Sequence, residues 1–324
     1  MVGVGATGAR ATRQLAATET IDSVVVCDPD ETRAHALRTA VPDRVEAVPP
    51  GRLGSLAADA VVLATPAGTH LELARNLLAR GIGVVSTSDS VGDVRDLLAL
   101  GPWCRDEGVA LVVGAAFSPG FSCLLARHAA VGFDRVDEIH VAKVGTGGPA
   151  CARQHHRALG GVAVDWRDDE WVERPAGSGR ELCWFPDPIG GADCYRAALP
   201  DALLLQPAFP DVARVTARLG ATRRDRLTAR LPMMRPPHPE GGPGGLRVEV
   251  RGRQGANRET KVLGAMDRPA VAAGAVAAVA ALWVAEARVP PGSAGLATGD
   301  HGRAILAELS RRGVRAAVFE GTPV

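Results

Sequence analysis

Lysine is almost missing from this chain: of its 37 basic residues only Lys143 and Lys261 are lysine, so arginine carries the positive charge. That charge has no excess. With 36 acidic side chains against it the net is +1, which excludes a general attraction to nucleic acid or to an anionic membrane. Aromatic residues make up 4% of the chain and Tyr195 is the single tyrosine. The six cysteines (Cys27, Cys104, Cys123, Cys151, Cys183, Cys194) form no Cys-x-x-Cys pair, which fits reduced thiols better than a disulfide framework. The uncharged run Pro269 to Ala285 stops short of the ~20 residues a membrane span needs and reads as a buried helix. No charged-then-apolar leader opens the sequence, so the cytoplasm is the expected compartment.

What is present suits a soluble globular protein. A chain of 324 residues with 46% hydrophobic and 23% charged content can bury two cores. Its organising stretch is Gly3-Val4-Gly5-Ala6-Thr7-Gly8, with Asp28 twenty positions after the last glycine. Gly-x-Gly-x-x-Gly opening a helix is a dinucleotide fingerprint: a tight turn, a close backbone approach to pyrophosphate, then close packing of helix on strand. Ala9 to Ala17 reads as that helix and Ser23 to Cys27 as the next strand, which puts Asp28 where adenosine ribose hydroxyls would lie. One feature is irregular. Only Met1 and Val2 precede Gly3, where a strand of about 5–6 residues is expected. The first strand is therefore expected to be truncated, with translation beginning further upstream.

Strand and helix signals then alternate. Helices are predicted over Glu31 to Thr39, Leu71 to Arg80, Val91 to Leu100 and Phe121 to Ala130, and strands over Val45 to Val48, Ala60 to Ala64, Gly83 to Ser86 and Val109 to Val113. Such alternation predicts an α/β fold with a Rossmann-type, doubly wound parallel sheet. Loops at the carboxyl ends of its strands face one ligand crevice. The cofactor-binding candidates are accordingly Gly3, Gly5, Ala6, Thr7, Gly8, Asp28, Thr65, Pro66, Ser86, Ser118, Pro119 and Gly120. Asp28 and Asp30 favour NAD, because a 2'-phosphate would face negative charge; Arg33 keeps NADP open.

Ala64-Thr65-Pro66 with His70 resembles the glucose-fructose oxidoreductase family. That family carries a catalytic lysine in Glu-Lys-Pro after the next strand; here the stretch reads Ser86-Thr87-Ser88-Asp89, so the lysine is not carried over, and His70 reads as structural. Ala116-Phe117-Ser118-Pro119-Gly120 resembles the Gly-x-Asp-Pro-Gly turn of saccharopine reductases and diaminopimelate dehydrogenases, departing at Ala116 and Ser118. Phe185-Pro186-Asp187-Pro188-Ile189-Gly190, leading to Tyr195, resembles the saccharopine group's substrate domain, as do the strand Leu246 to Arg251 and the helix Pro269 to Ala285 in kind. The resemblance implies the fold and an NAD(P)-dependent dehydrogenase or reductase, and it leaves the substrate unnamed.

Three segments are expected: a nucleotide domain over 1–130, an α+β substrate and dimerisation domain with a mainly antiparallel sheet over 131–268, and a return helix with C-terminal segment packing on the nucleotide domain over 269–324. Leu231 to Gly245 holds five prolines and four glycines, a lid or a plain connector. The run Arg214, Arg218, Arg223, Arg224, Arg226, Arg230 reads as a solvated helix face.

Hydride transfer asks a protein to exchange one proton and to hold a substrate carboxylate. Lys143, Tyr195, His155 and His156 are the catalytic candidates; Arg153 and Arg180 are the carboxylate candidates, since arginine forks onto a carboxylate. If Cys151 to Leu159 is helical, Cys151 and His155 share a face while His156 points elsewhere. That pair allows three readings: no chemistry, a proton-transfer or substrate-binding histidine, or half of a metal site, for which no close-set further ligands present themselves. No metal is therefore expected. The reading is an NAD(P)-dependent oxidoreductase acting on a C–N or C–O centre of a small amino- or carboxylic-acid substrate, as a homodimer without nucleic-acid or membrane partners. The alternative is a catalytically silent dinucleotide-binding or structural protein that kept the fold.

Overall fold

The computed structural model describes residues 1–234 and 236–319; Arg235, inside the expected loop 231–245, and residues 320–324, at the end of the segment 269–324, lie outside the described residues. The chain opens at the centre of a parallel sheet. Val2 bridges both β1 (Val24–Cys27) and β3 (Ala60–Leu63), donating its N–H to Val62 O at 2.9 Å, while Gly3 N–H reaches Cys27 O at 2.8 Å. β2 (Val45–Val48) adds outside β1, and β4 (Gly83–Ser86) and β5 (Ala110–Val113) follow β3 on the other side. Two residues therefore fill the central place expected for the first strand.

These strands read as unbroken apolar runs, such as Val24-Val25-Val26, because helices cover both faces. The covering helices are α1 (Ala6–Ala16), α2 (Glu31–Ala40), α3 (His70–Leu78), α4 (Val91–Leu98) and the short α5 (Gly101–Asp106), which was not predicted from the sequence. α6 (Phe121–Ala129) then leads out of this sheet.

A second sheet holds β6 (Arg135–Val144), the hairpin β7 (Val162–Arg167) and β8 (Glu170–Pro175), the hairpin β9 (Glu181–Phe185) and β10 (Gly190–Arg196), and β11 (Arg214–Gly220). β12 (Gly244–Gln254) and β13 (Asn257–Asp267) complete its long central hairpin. Every pairing is antiparallel except β6 with β11, in keeping with the expected mainly antiparallel sheet. β13 was not evident in the sequence, where its polar first half hides the alternation. α7 (Pro149–Ala158) follows β6, the short α8 (Asp201–Leu205) precedes β11 and α9 (Arg223–Thr228) follows it.

The arginine run is corrected here. Arg214 and Arg218 belong to the strand β11, and Arg218 is buried with its Nε 2.6 Å from Glu181 and its Nη1 2.8 Å from Gly179 O. Only Arg223, Arg224 and Arg226 lie on a helix.

The chain then returns. α10 (Pro269–Ala285) is buried along nearly its whole length and packs on α1, β3 and β4; at Gly274 a Cβ would lie 2.8 Å from Ala11 N, so glycine sets the approach of the two helices. β14 (Gly292–Ala294) extends the first sheet beside β5, α11 (Gly302–Arg311) follows, and β15 (Ala317–Phe319) pairs with β13 in the second sheet. Among the described residues no helix is long and apolar enough to cross a membrane.

Candidate active site

A cavity of about 700 Å³ lies between the carboxyl ends of the first sheet and the loop and helix that follow β6. This is within the usual size of a small-molecule or cofactor site. One end is built from backbone. Gly3 takes φ +88°, and a Cβ there would lie 2.5 Å from Ala64 O; one on Gly8 would lie 1.9 Å from Gly3 O. Only glycine fits at either place. Gly5 is different: nothing stands within 4 Å of where its Cβ would be, so the cavity reaches the backbone at the N-terminus of α1. That is the open cradle a pyrophosphate needs.

Asp28 sits beside this turn, 7% exposed, accepting the Val4 N–H at 2.7 Å and the Asp30 N–H at 2.8 Å. These two bonds fix the carboxylate against the glycine turn with its remaining lone pairs free for hydroxyl donors. Arg33 also lines the cavity, but its Nε pairs with Asp30 at 3.0 Å. Of the other expected cofactor residues, Gly3, Gly5, Ala6, Thr7, Thr65, Pro66 and Ser118 line the cavity. Gly8, Ser86, Pro119 and Gly120 support it from behind. Ser86 is buried and donates to His70 Nδ1 at 2.9 Å, while His70 Nε2 donates to Thr65 O at 2.9 Å; burial holds His70 below its ordinary pKa. His70 thus ties β4 to the Thr65 turn, the structural role read for it.

The opposite end is built from side chains. Lys143, at the end of β6, is 2% exposed and donates to Ser118 O at 2.8 Å. Ser118 is held in turn, its Oγ donating to the buried Asp201 at 2.8 Å beside Ser122 at 2.6 Å. α7 brings Cys151 and His155 to the cavity on one face, as their spacing predicted. The loop after β4 adds Asp89. His155 Nε2 lies 3.1 Å from Asp89 Oδ2 and 3.5 Å from Cys151 Sγ, and Sγ lies 3.7 Å from Oδ2. Burial opposes a charge on His155, yet the neighbouring Cys151 and Asp89 outweigh it and raise the imidazole to about 9. Asp89 moves the other way: burial would raise it, but the His155 hydrogen bond and the Lys143 charge bring it below the ordinary carboxylate range.

Asp89 was missed as a candidate because it stands 62 residues from Cys151. The signal available was its place in a loop at the carboxyl end of a parallel strand, where ligand-facing residues gather.

Three expected site residues stand away from the cavity. Tyr195, on β10 opposite Leu219, is 1% exposed, and the Arg226 guanidinium lies 4.2 Å from its ring centroid; its strand register buries it in the second sheet's own core. His156 is turned off the Cys151–His155 face of α7, and its Nε2 donates to Leu231 O at 2.8 Å. Arg180 is exposed and pairs with Asp193 at 2.9 Å. Arg153 does line the cavity, at its exposed rim.

Comparisons with known proteins bear on the fold that carries this cavity. Residues 1–114 match the model of the oxidoreductase family with NAD-binding Rossmann fold. Over these residues the chain has the parallel-sheet Rossmann fold that this model describes. No curated protein matches the chain by sequence. The fold is similar to that of saccharopine dehydrogenase (L-Glu forming) from Saccharomyces cerevisiae, at 14% identity and a TM-score of 0.71 over 98% of this chain and 99% of that one. It is also similar to diaminopimelate dehydrogenase of C. glutamicum in complex with diaminopimelate (TM-score 0.53, 14% identity, 97% and 98% covered). GenD2 from gentamicin A biosynthesis, in complex with NAD, is similar at a TM-score of 0.51 and 19% identity over 99% of this chain and 95% of that one.

Proposed function

We propose that the protein is an NAD-dependent dehydrogenase that moves a hydride to or from a C–N or C–O centre of a small amino- or carboxylic-acid substrate. One observation carries the reading: a single cavity joins the glycine turn and Asp28 to the buried Lys143 and His155 with the half-buried Asp89 and Cys151. NAD, when bound, supplies the hydride acceptor, and NADH the donor. Gly3, Gly5, Ala6 and Thr7 would hold its pyrophosphate against the N-terminus of α1, and Asp28 its adenosine ribose.

The chain's own residues then have separable tasks. In the reducing direction the substrate carbon gains a hydride while its oxygen or nitrogen gains a proton from the Lys143 ammonium; oxidation reverses both transfers. Ser118 O holds Lys143 in place from behind. Asp89, Cys151 and His155 hold the reacting oxygen or nitrogen, and the depth of the group keeps water from the reacting carbon. Arg153 at the rim can take a substrate carboxylate. We take residues 1–130 as the nucleotide domain and 131–268 as the substrate domain. The overall likeness to GenD2 with NAD and to the saccharopine and diaminopimelate dehydrogenases supports the dehydrogenase reading.

The test is consumption of NADH, followed by absorbance, against a panel of 2-oxo acids with and without amine donors, together with NAD reduction by the matching amino acids. Turnover of one member with wild-type protein and its loss in Lys143→Met supports the reading. Binding of NADH with no turnover across the panel would favour the catalytically silent alternative.

A further inference from the structure

We propose that Asp89, Cys151 and His155 are the three protein ligands of a zinc ion at the reacting end of the cavity. Three electron-pair donors of different type converge there, with separations of 3.1, 3.5 and 3.7 Å between Nε2, Sγ and Oδ2. Zinc bonds of ~2.0–2.1 Å to nitrogen, ~2.3 Å to sulfur and ~2.0–2.2 Å to oxygen, in tetrahedral arrangement, place such donors roughly 3.3–3.6 Å apart. The trio stands close to the edges of a coordination tetrahedron, so small side-chain movements would complete it.

The arrangement differs from that of a nucleophilic thiol. In a Cys-His-Asp triad the acid binds the imidazole nitrogen opposite the nucleophile. Here Cys151 and Asp89 both approach Nε2, and Nδ1 is buried with no hydrogen-bond partner among the described residues. A proton on Nε2 can serve one of its two neighbours at a time, whereas a cation at the centre serves all three donors. Thiolate with imidazole and carboxylate suits zinc, while magnesium and calcium select oxygen. Zinc with one carboxylate and one thiolate is neutral as a unit, so the charge of nearby Lys143 does not oppose it.

Because all three residues line the cavity, the fourth coordination position opens onto it, the pattern of a catalytic rather than a structural zinc. The use of that position rests on the dehydrogenase reading. A substrate oxygen or nitrogen bound there is polarised towards the incoming hydride, and Lys143 delivers the proton.

The experiment is metal analysis of the full chain after incubation with zinc and dialysis, followed by cobalt substitution of the chelator-stripped protein. We expect one zinc per chain, and a cobalt spectrum with tetrahedral visible bands and a thiolate charge-transfer band. Cys151→Ser should abolish the charge-transfer band, and Asp89→Asn should weaken zinc retention at least tenfold, with the far-ultraviolet circular dichroism of both unchanged. Failure of the wild type to retain zinc or to give the cobalt spectrum overturns the proposal, as does a metal content and spectrum that neither substitution alters. NADH titration of the same samples separates the two readings. NADH binding by wild-type protein that retains no zinc after incubation sinks the zinc site alone, and metal retention without NADH binding upholds the site while the dehydrogenase reading falls.

Discussion

The two ends of the cavity recognise their targets by different means. At the nucleotide end the work is done by backbone shape, through glycines that admit close contacts and through one carboxylate anchored on two N–H groups. At the reacting end it is done by side chains from three separate segments: Asp89 after β4, Lys143 on β6, and Cys151 with His155 on α7. The first kind of site is written in consecutive residues. The second exists only once the two sheets face each other.

This difference can be broken or sharpened by substitution. The largest effect is expected from Lys143→Met, which should cut turnover by about 10²–10⁴-fold, the usual worth of a positioned proton donor. NADH affinity should stay within about threefold of wild type, since Lys143 belongs to the other end. A variant that turns over normally would remove Lys143 from the chemistry. Next come the glycines. Gly8→Ala forces a Cβ to 1.9 Å from Gly3 O and should cost about 3 kcal/mol of stability, read by denaturant unfolding. Gly5→Ala meets no atom within 4 Å and should leave stability within about 0.5 kcal/mol while lowering NADH affinity at least tenfold. Equal stability losses at the two positions would contradict the division between a packed glycine and an open one.

Asp28→Ala is expected to weaken NADH by about tenfold, close to the ~1.4 kcal/mol of one charge-assisted hydrogen bond, and to narrow the preference for NADH over NADPH. An unchanged ratio of the two affinities would show that Asp28 does not read the ribose.

The smallest effect lies far from the cavity, on the second sheet. Burial would raise Glu249, but Arg251, whose Nε lies 2.6 Å away, and Arg247 hold it below the ordinary carboxylate range. A carboxylate whose folded pKa is depressed adds stability above its unfolded pKa of about 4.3 and loses it as pH falls through the folded value. Glu249→Gln should therefore flatten the fall of the thermal midpoint below about pH 4.3, by an amount worth under ~1 kcal/mol. A variant as acid-sensitive as wild type would assign the loss to other carboxylates.

The same comparison explains what could be read before folding. Gly3 to Gly8, Asp28 and Thr65-Pro66 form a local pattern whose physical cause is local, and all but Val4 and Gly8 line the cavity. The apolar strand runs and the uncharged helix α10 were legible because burial on all sides leaves continuous hydrophobic stretches. Asp89 was legible only as part of the ligand-facing loop after β4, for nothing near it in sequence marks it as a partner of Cys151 and His155. Tyr195 was singled out for its rarity and for ending the segment that resembles the saccharopine group, and neither says which face of β10 it occupies. Arg214 and Arg218 misled for a related reason. Their charge was read as a solvated helix face, whereas Arg218 lies on a strand and is carried inside by its bonds to Glu181 and Gly179.

The central claim is that this cavity is an NAD site facing a reacting group, and calorimetric titration of NADH and NADPH into the full chain tests it most directly. One NADH should bind per chain, more tightly than NADPH. No binding of either dinucleotide would contradict it.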